Sequence, residues 1–191
     1  MGVLFYLLFL FFNETTRTKV AAQIFNKFRD VNHVRVKGVI TIDGGAATGK
    51  GTVRALVGAI MGFHQLDSGA LYRAVGYQCI KTGVLNAPML WKAIASTVDI
   101  YYRDERVFVQ GLDVTDAIRT EEVGHAASII SQDPGVRREL REFQLSMRKH
   151  PGLVADGRDQ AFIFDTMFRF FLTASPEEKA RRRVLQLRER G

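Results

Sequence analysis

The chain has 191 residues, 47% apolar and 25% charged, which suits one sizeable α/β domain and excludes disorder across the bulk. The formal charge of +7 sits at the ends, +4 on residues 1–40 and +3 on residues 176–191 with none left over on residues 41–175. With no zinc-finger spacing, RNP-like motif or aromatic-basic alternation, this excludes a broad nucleic-acid face. A single Cys79 excludes an internal disulfide and a cysteine-cluster metal site, and fits a reducing, cytoplasmic setting.

The chain opens on ten successive apolar residues, Val3 to Phe12. As a helix this run would rise about 15 Å, roughly half a bilayer's hydrocarbon core, so it is too short to span. It also lacks the basic flank and small-residue cleavage site of a secretory signal. A weak membrane or partner contact and sequence upstream of the true start are the two readings of it. The Asn13-Glu14-Thr15 sequon reads as chance in a cytoplasmic chain. From Thr16 to Arg29, Val20, Ile24 and Phe28 recur at intervals of four, which predicts a helix; residues 1–37 form an N-terminal extension.

Next comes "VITIDGGAATGKGT", Val39 to Thr52, followed by the helix-forming "VRALVGAIM", so the order is strand, glycine-rich loop, helix. Backbone N–H groups can approach phosphate oxygens only where no Cβ intervenes, and Gly44, Gly45, Gly49 and Gly51 remove it. A helix starting near Gly49 aims its unsatisfied N–H groups at the same place. Lys50 then reaches the outer phosphates, and Thr52 offers a hydroxyl near a Mg²⁺. The strict pattern has Ser or Thr directly after the lysine; Gly51 stands there, and Gly-Lys-Gly-Thr is the form used by small-molecule nucleotide kinases. The bland alternative is a glycine turn with Lys50 solvated.

Phe63 to Leu66 reads as a short strand, Asp67 or Ser68 as a cap, and Gly69 to Lys81 as a helix with Leu71, Val75 and Cys79 on one face. "VDIYYRDERVFVQG" alternates about a polar turn and predicts a hairpin. "DAIRTEEVGHAASIIS" is expected to be helical, and "DPGVRRELREFQLSMRKH" opens a helix capped by Asp133 with Pro134 at its first position. Gly152 to Asp156 and "MFRFFLTA" read as strands, and Ser175, Pro176 and Glu178 as a capping box opening a basic helix. The alternation implies a parallel sheet flanked by helices, with an insertion carrying the hairpin.

An acceptor needs its own residues. Ser68 at a helix N-terminus with Arg73 offers a monophosphate pair, and "DGRD" places Asp156 at a strand's carboxyl end, then Arg158 and Asp159. The bland readings are an Arg73–Asp67 surface pair and a turn closed by its own ion pair. His125 and the Arg181 to Arg183 run read as solvated helix faces, although a basic helix near transferred phosphates also serves such chemistry.

Read in order, "ITIDGGAATGKGT", "LDSGALYRAV", "GLDVTDAIRTEEVGHAAS", "PGVRRELREFQ", "PGLVADGRD" and "FLTASPEEKARRRVLQLRERG" resemble the bacterial-type cytidylate kinases, nucleoside monophosphate kinases specific for CMP and dCMP. The resemblance runs from about Val39 to Gly191. It implies a P-loop NTPase-type parallel sheet flanked by helices over residues 38–191, with a CMP-binding insertion at about 67–150 and a mobile lid. It implies ATP as phosphoryl donor with Mg²⁺, held by Gly44, Gly45, Ala46, Ala47, Thr48, Gly49, Lys50, Gly51 and Thr52, with Thr52 on the metal. Ser68, Arg73 and Arg158 would hold the CMP or dCMP, Arg73 and Arg158 on its phosphate. Ser128, Arg137 and Asp159 would read the cytosine ring, and Lys50, Arg73 and Arg158 would be catalytic. The family continues past "DGRD" with Met-Gly-Thr, where this chain has Gln160, Ala161 and Phe162, and continues past the equivalent of Gly191 through the lid, a last strand and a helix. The expectation is therefore a C-terminally incomplete, cytoplasmic, monomeric (d)CMP kinase. The alternatives are a catalytically silent nucleotide-binding protein and another small-molecule kinase on this scaffold.

Overall fold

The structure, a computed structural model, describes residues 6–9, 19, 22–24, 38–103 and 106–188. These fall into two compact units, one from Met1–Leu66 with Met147–Gly191 and the other Asp67–Ser146.

The first unit is built on a sheet of order β1-β8-β2-β7-β3. Strand β1 is Tyr6–Phe9, β2 Gly38–Gly44, β3 His64–Asp67, β7 Gly152–Gly157 and β8 Phe168–Thr173. The pairs β1 with β8, β8 with β2 and β2 with β7 are parallel. Val39, Ile40, Thr41 and Ile42 are all buried, the unbroken burial of a central strand covered on both faces. Helix α1, Lys50–Met61, packs Val53 and Val57 onto Ile40, Ile42 and Val154. Fully burying each of those valines stabilises the unit by about 1.5–3 kcal/mol. Helix α6, Gln160–Ile163, follows β7, and helix α7, Pro176–Arg188, follows β8. This is the α/β parallel-sheet class that the strand-helix alternation predicts.

The N-terminal run, whose secondary structure the sequence leaves open, contains a strand over Tyr6–Phe9, in register with Phe170–Thr173. Extended backbone beside an existing parallel edge finds ladder partners that an isolated apolar run lacks, and this outweighs the absence of alternation by which strands are usually read. The rest of Val3–Phe12 and the Asn13 sequon lie outside the described residues. So do Val20 and Phe28 of the predicted helix, but Lys19 and residues 22–24 are helical and Ile24 is buried in the first unit's core. No helix among the described residues is long and apolar enough to cross a membrane.

The second unit packs helices on a three-stranded antiparallel sheet. Helix α2 is Ser68–Lys81, α3 Pro88–Thr97, α4 Glu121–Ile130 and α5 Pro134–Ser146. Strands β4 Ile100–Arg103, β5 Arg106–Val109 and β6 Leu112–Asp113 lie in that order. Leu71, Val75 and Cys79 do share the buried face of α2, with Trp91, Val109, Ile130 and Leu140 in the same core. The predicted hairpin is β4–β5, extended by β6. "DAIRTEEVGHAASIIS" is not one helix: a single 3₁₀ turn over Ala117–Arg119 ends at Thr120, whose hydroxyl caps α4 by accepting from the Val123 N–H at 3.3 Å. Threonine competes with the helix for backbone donors, so it divides the segment. Helix α3 carries a local start signal, Pro88 in its first turn.

Burial pushes the Cys79 thiol up to about 11, so at neutral pH it is a packed, protonated side chain. The expected result with a water-soluble thiol reagent is no labelling of the folded chain within an hour and one equivalent after unfolding; mass spectrometry reads both.

Candidate active site

Strand β2 ends at Gly44, α1 begins at Lys50, and the loop between them is the predicted phosphate cradle. Gly44 is required by space, because a Cβ there would lie 2.4 Å from the carbonyl oxygen of Leu172 on β8. Gly49, the residue before the helix, has φ 91, the left-handed region that glycine enters without cost. Ala47 is also left-handed, at φ 58, which costs a non-glycine residue about 1–2 kcal/mol and so needs holding. The loop is closed on itself: the Thr48 hydroxyl donates to the Gly45 carbonyl at 2.9 Å, and Lys50 Nζ donates to the same oxygen at 3.3 Å. Lys50 therefore lies along the loop rather than out in solvent. Thr52 is exposed on the first turn of α1, and Ala46 on the loop.

Behind the loop stands Arg182 of α7, the middle arginine of a run read as a solvated face. Arg181 is exposed, but Arg182 is only 5% exposed. Its Nη1 donates to the carbonyls of Ala47 at 3.3 Å and Thr48 at 3.1 Å, and its Nε donates to Glu178 Oε1 at 2.6 Å. The predicted capping box is thus half formed: Ser175 Oγ accepts from the Glu178 N–H at 3.2 Å, but the Glu178 carboxylate turns to Arg181 and Arg182. Hydrogen bonds from Arg181 and then Arg182 hold that carboxyl down to about 2, below its ordinary 4.5. A depressed carboxyl contributes stability that is complete above its ordinary 4.5 and is lost progressively as pH falls from there through about 2, so the pair is intact at neutral pH.

Two further contacts fix the "DGRD" segment, neither foreseen. Asp156 lies, as expected, at the carboxyl end of a strand, β7, where it is buried, and its Oδ1 accepts from Arg54 Nε of α1 at 2.7 Å, while Arg54 Nη1 donates to Gln65 Oε1 at 2.8 Å. Asp43, the last residue before Gly44, is also buried, and its two carboxylate oxygens accept from the backbone N–H groups of Gln160 at 2.9 Å and Ala161 at 2.8 Å. The Asp159 side chain does not cap α6; Asp43 supplies that anion from another strand. Burial raises the Asp43 carboxyl above its ordinary range, Asp159 nearby raises it further, and the two N–H groups and Lys50 oppose the shift. Arg158 is exposed and Asp159 half-buried, the two residues between the buried Gly157 and Gln160.

The other expected acceptor residues belong to the second unit. Ser68 is buried in the first turn of α2, where Asp67 is the cap, its Oδ1 accepting from the Ala70 N–H at 3.0 Å. Arg73 Nη1 donates to the carbonyls of Ile118 at 3.0 Å and Thr120 at 3.2 Å. Gly124 makes this route open, since a Cβ there would sit 2.9 Å from Arg73 Nη2. Ser128 and Arg137, both exposed, meet around one turn: the Ser131 hydroxyl donates to the Ser128 carbonyl at 3.0 Å, and Arg137 Nη1 donates to the Ser131 carbonyl at 3.3 Å. His125 is exposed, as expected.

The cytidylate kinase family model matches residues 40–191, four-fifths of the chain and all the segments just described. The chain belongs to the cytidylate kinase family. The cytidylate kinase of Burkholderia pseudomallei is 49% identical over 158 residues, 80% of this chain and 68% of that protein. That of Nitrosomonas eutropha is 47% identical over 156 residues, 80% and 70%. That of Pseudomonas putida is 43% identical over 162 residues, 80% and 71%.

Among the described residues no group of three or more His, Cys, Asp or Glu is placed to hold a metal. Thr52 is the available hydroxyl, while the Asp43 carboxylate is committed to α6.

Proposed function

We propose that the protein transfers the γ-phosphoryl group of ATP to CMP and dCMP, giving CDP or dCDP and ADP. The observation that carries this is the family match together with the glycine loop it contains, with Lys50 along it and Gly49 left-handed at the head of α1. Residues Gly44 to Thr52 take the triphosphate; Thr52 would hold Mg²⁺, which when bound neutralises charge on the outer phosphates. Ser68, Arg73 and Arg158 bind the acceptor, the two arginines on its phosphate, and Ser128, Arg137 and Asp159 read the cytosine. The domain from residue 38 onward carries the chemistry, residues around 67–150 serving the acceptor.

The acceptor phosphate is already anionic, so no strong base is required. The residues act by placing two phosphates in line and by countering the charge that spreads over the transferred group. Lys50 sits at the donor and Arg73 and Arg158 at the acceptor, which is where that charge lies.

An acceptor panel tests this. With Mg·ATP, kcat/KM for CMP and dCMP is expected to exceed that for AMP and UMP by about tenfold or more, the discrimination available to a site that hydrogen-bonds a base edge. Equal turnover of all four would favour a broader nucleotide kinase, and phosphorylation of none would remove the reading.

A further inference from the structure

Arg182 is the one arginine of its run that is buried, and burying a guanidinium is costly unless donors such as its Nε and Nη1 find partners. Its partners are specific. Glu178 fixes Nε one turn earlier on α7, and Nη1 reaches back 134 and 135 residues to two successive carbonyls of the glycine loop. In a trans peptide the C=O of one residue and the N–H of the next point in opposite directions. Holding the Ala47 and Thr48 carbonyls on the α7 side therefore turns the Thr48 and Gly49 N–H groups to the other side. Both peptide planes flank left-handed residues, Ala47 and Gly49, where the chain has no helix or ladder to fix it.

We propose that Arg182 is a positioning residue for the phosphate loop: it holds the 47–48 and 48–49 peptide planes so that the Thr48 and Gly49 N–H groups face a bound triphosphate, and Glu178 holds Arg182. This rests on reading residues 44–52 as a triphosphate cradle and is independent of which acceptor is used. Arg182 acts through the backbone and has no required contact with base or ribose.

The test is direct binding to the full chain by calorimetry, with Mg·ATP, inorganic tripolyphosphate and CMP as separate probes. Arg182→Gln is expected to weaken Mg·ATP and tripolyphosphate by the same factor, about tenfold or more, with CMP within about twofold. Arg182→Lys keeps the charge but cannot serve Glu178 and the carbonyls with a planar fork, so it is expected to fall between. Glu178→Gln, which touches no loop atom, is expected to shift both phosphate probes in the same direction by a smaller factor, and it covers the case in which Arg182→Gln does not fold. A lowered melting temperature with unchanged tripolyphosphate affinity would overturn the proposal in favour of a purely structural role. A loss confined to ATP, with tripolyphosphate unaffected, would overturn it in favour of a contact with the base. Should the wild-type chain bind Mg·ATP but fail to phosphorylate CMP, the acceptor reading falls and the same binding series still decides the role of Arg182.

Discussion

Lys50→Ala is expected to lower kcat for CMP phosphorylation by about 10³-fold, the size of effect found when one cation facing a transferring phosphoryl group is lost. The Lys50 ammonium makes a single 3.3 Å bond to the Gly45 carbonyl and lies half-buried at the head of α1, so little of the fold depends on it. The urea midpoint should therefore move by no more than about 0.5 kcal/mol equivalent, as for substitutions outside the core. Steady-state rates and an unfolding curve on the same preparation separate the two. A variant that keeps wild-type kcat would show that Lys50 is solvated in function and that the loop is only a turn.

Arg54→Met carries the largest expected effect on stability. Arg54 joins α1 to β7 through Asp156, whose side chain is 4% exposed, and to Gln65 beside β7. Removing the guanidinium from a buried carboxylate costs about 3–5 kcal/mol, because the remaining charge keeps its desolvation penalty and loses its main attraction. Replacing both partners by apolar groups of similar size is far milder, so Arg54→Met with Asp156→Leu should recover most of the loss. A double-mutant cycle in urea measures the coupling directly. Additive losses would mean that the pair is incidental. Activity should fall with the single variant as well, because Asp156 lies two residues before Arg158 on the segment proposed to bind the acceptor phosphate.

These two variants also mark the boundary of what the sequence reveals. The loop is legible because its requirement is local: strand, glycines, lysine and helix are consecutive, and each residue type answers a backbone need at its own position. The helices around Ser68 and Pro134 are legible for the same reason, through Asp67 and Asp133, whose carboxylates do accept from Ala70 and Val136. What escaped is non-local. The Arg54–Asp156 pair spans 102 residues, Asp43 caps a helix 117 residues away, and Arg182 reaches the loop from the far end of the chain. A run of arginines at helical spacing beside Glu178 has the pattern of a solvated i,i+4 face, and only the tertiary fold shows that its middle member points inward. Thr120 and the Tyr6–Phe9 strand are a third kind of miss, in which a local competitor or a neighbouring edge overrides the pattern of the segment itself. Asp43 carried a weak signal that could have been used, a carboxylate closing an otherwise apolar, fully buried strand.

Transfer of a phosphoryl group from ATP to a cytidine monophosphate is tested in one tube by ³¹P spectra of the purified chain with ATP, Mg²⁺ and CMP. The expected result is CDP and ADP accumulating in equal amounts, with no inorganic phosphate beyond background. ADP formed with inorganic phosphate and unchanged CMP, or no change in any resonance, would contradict it.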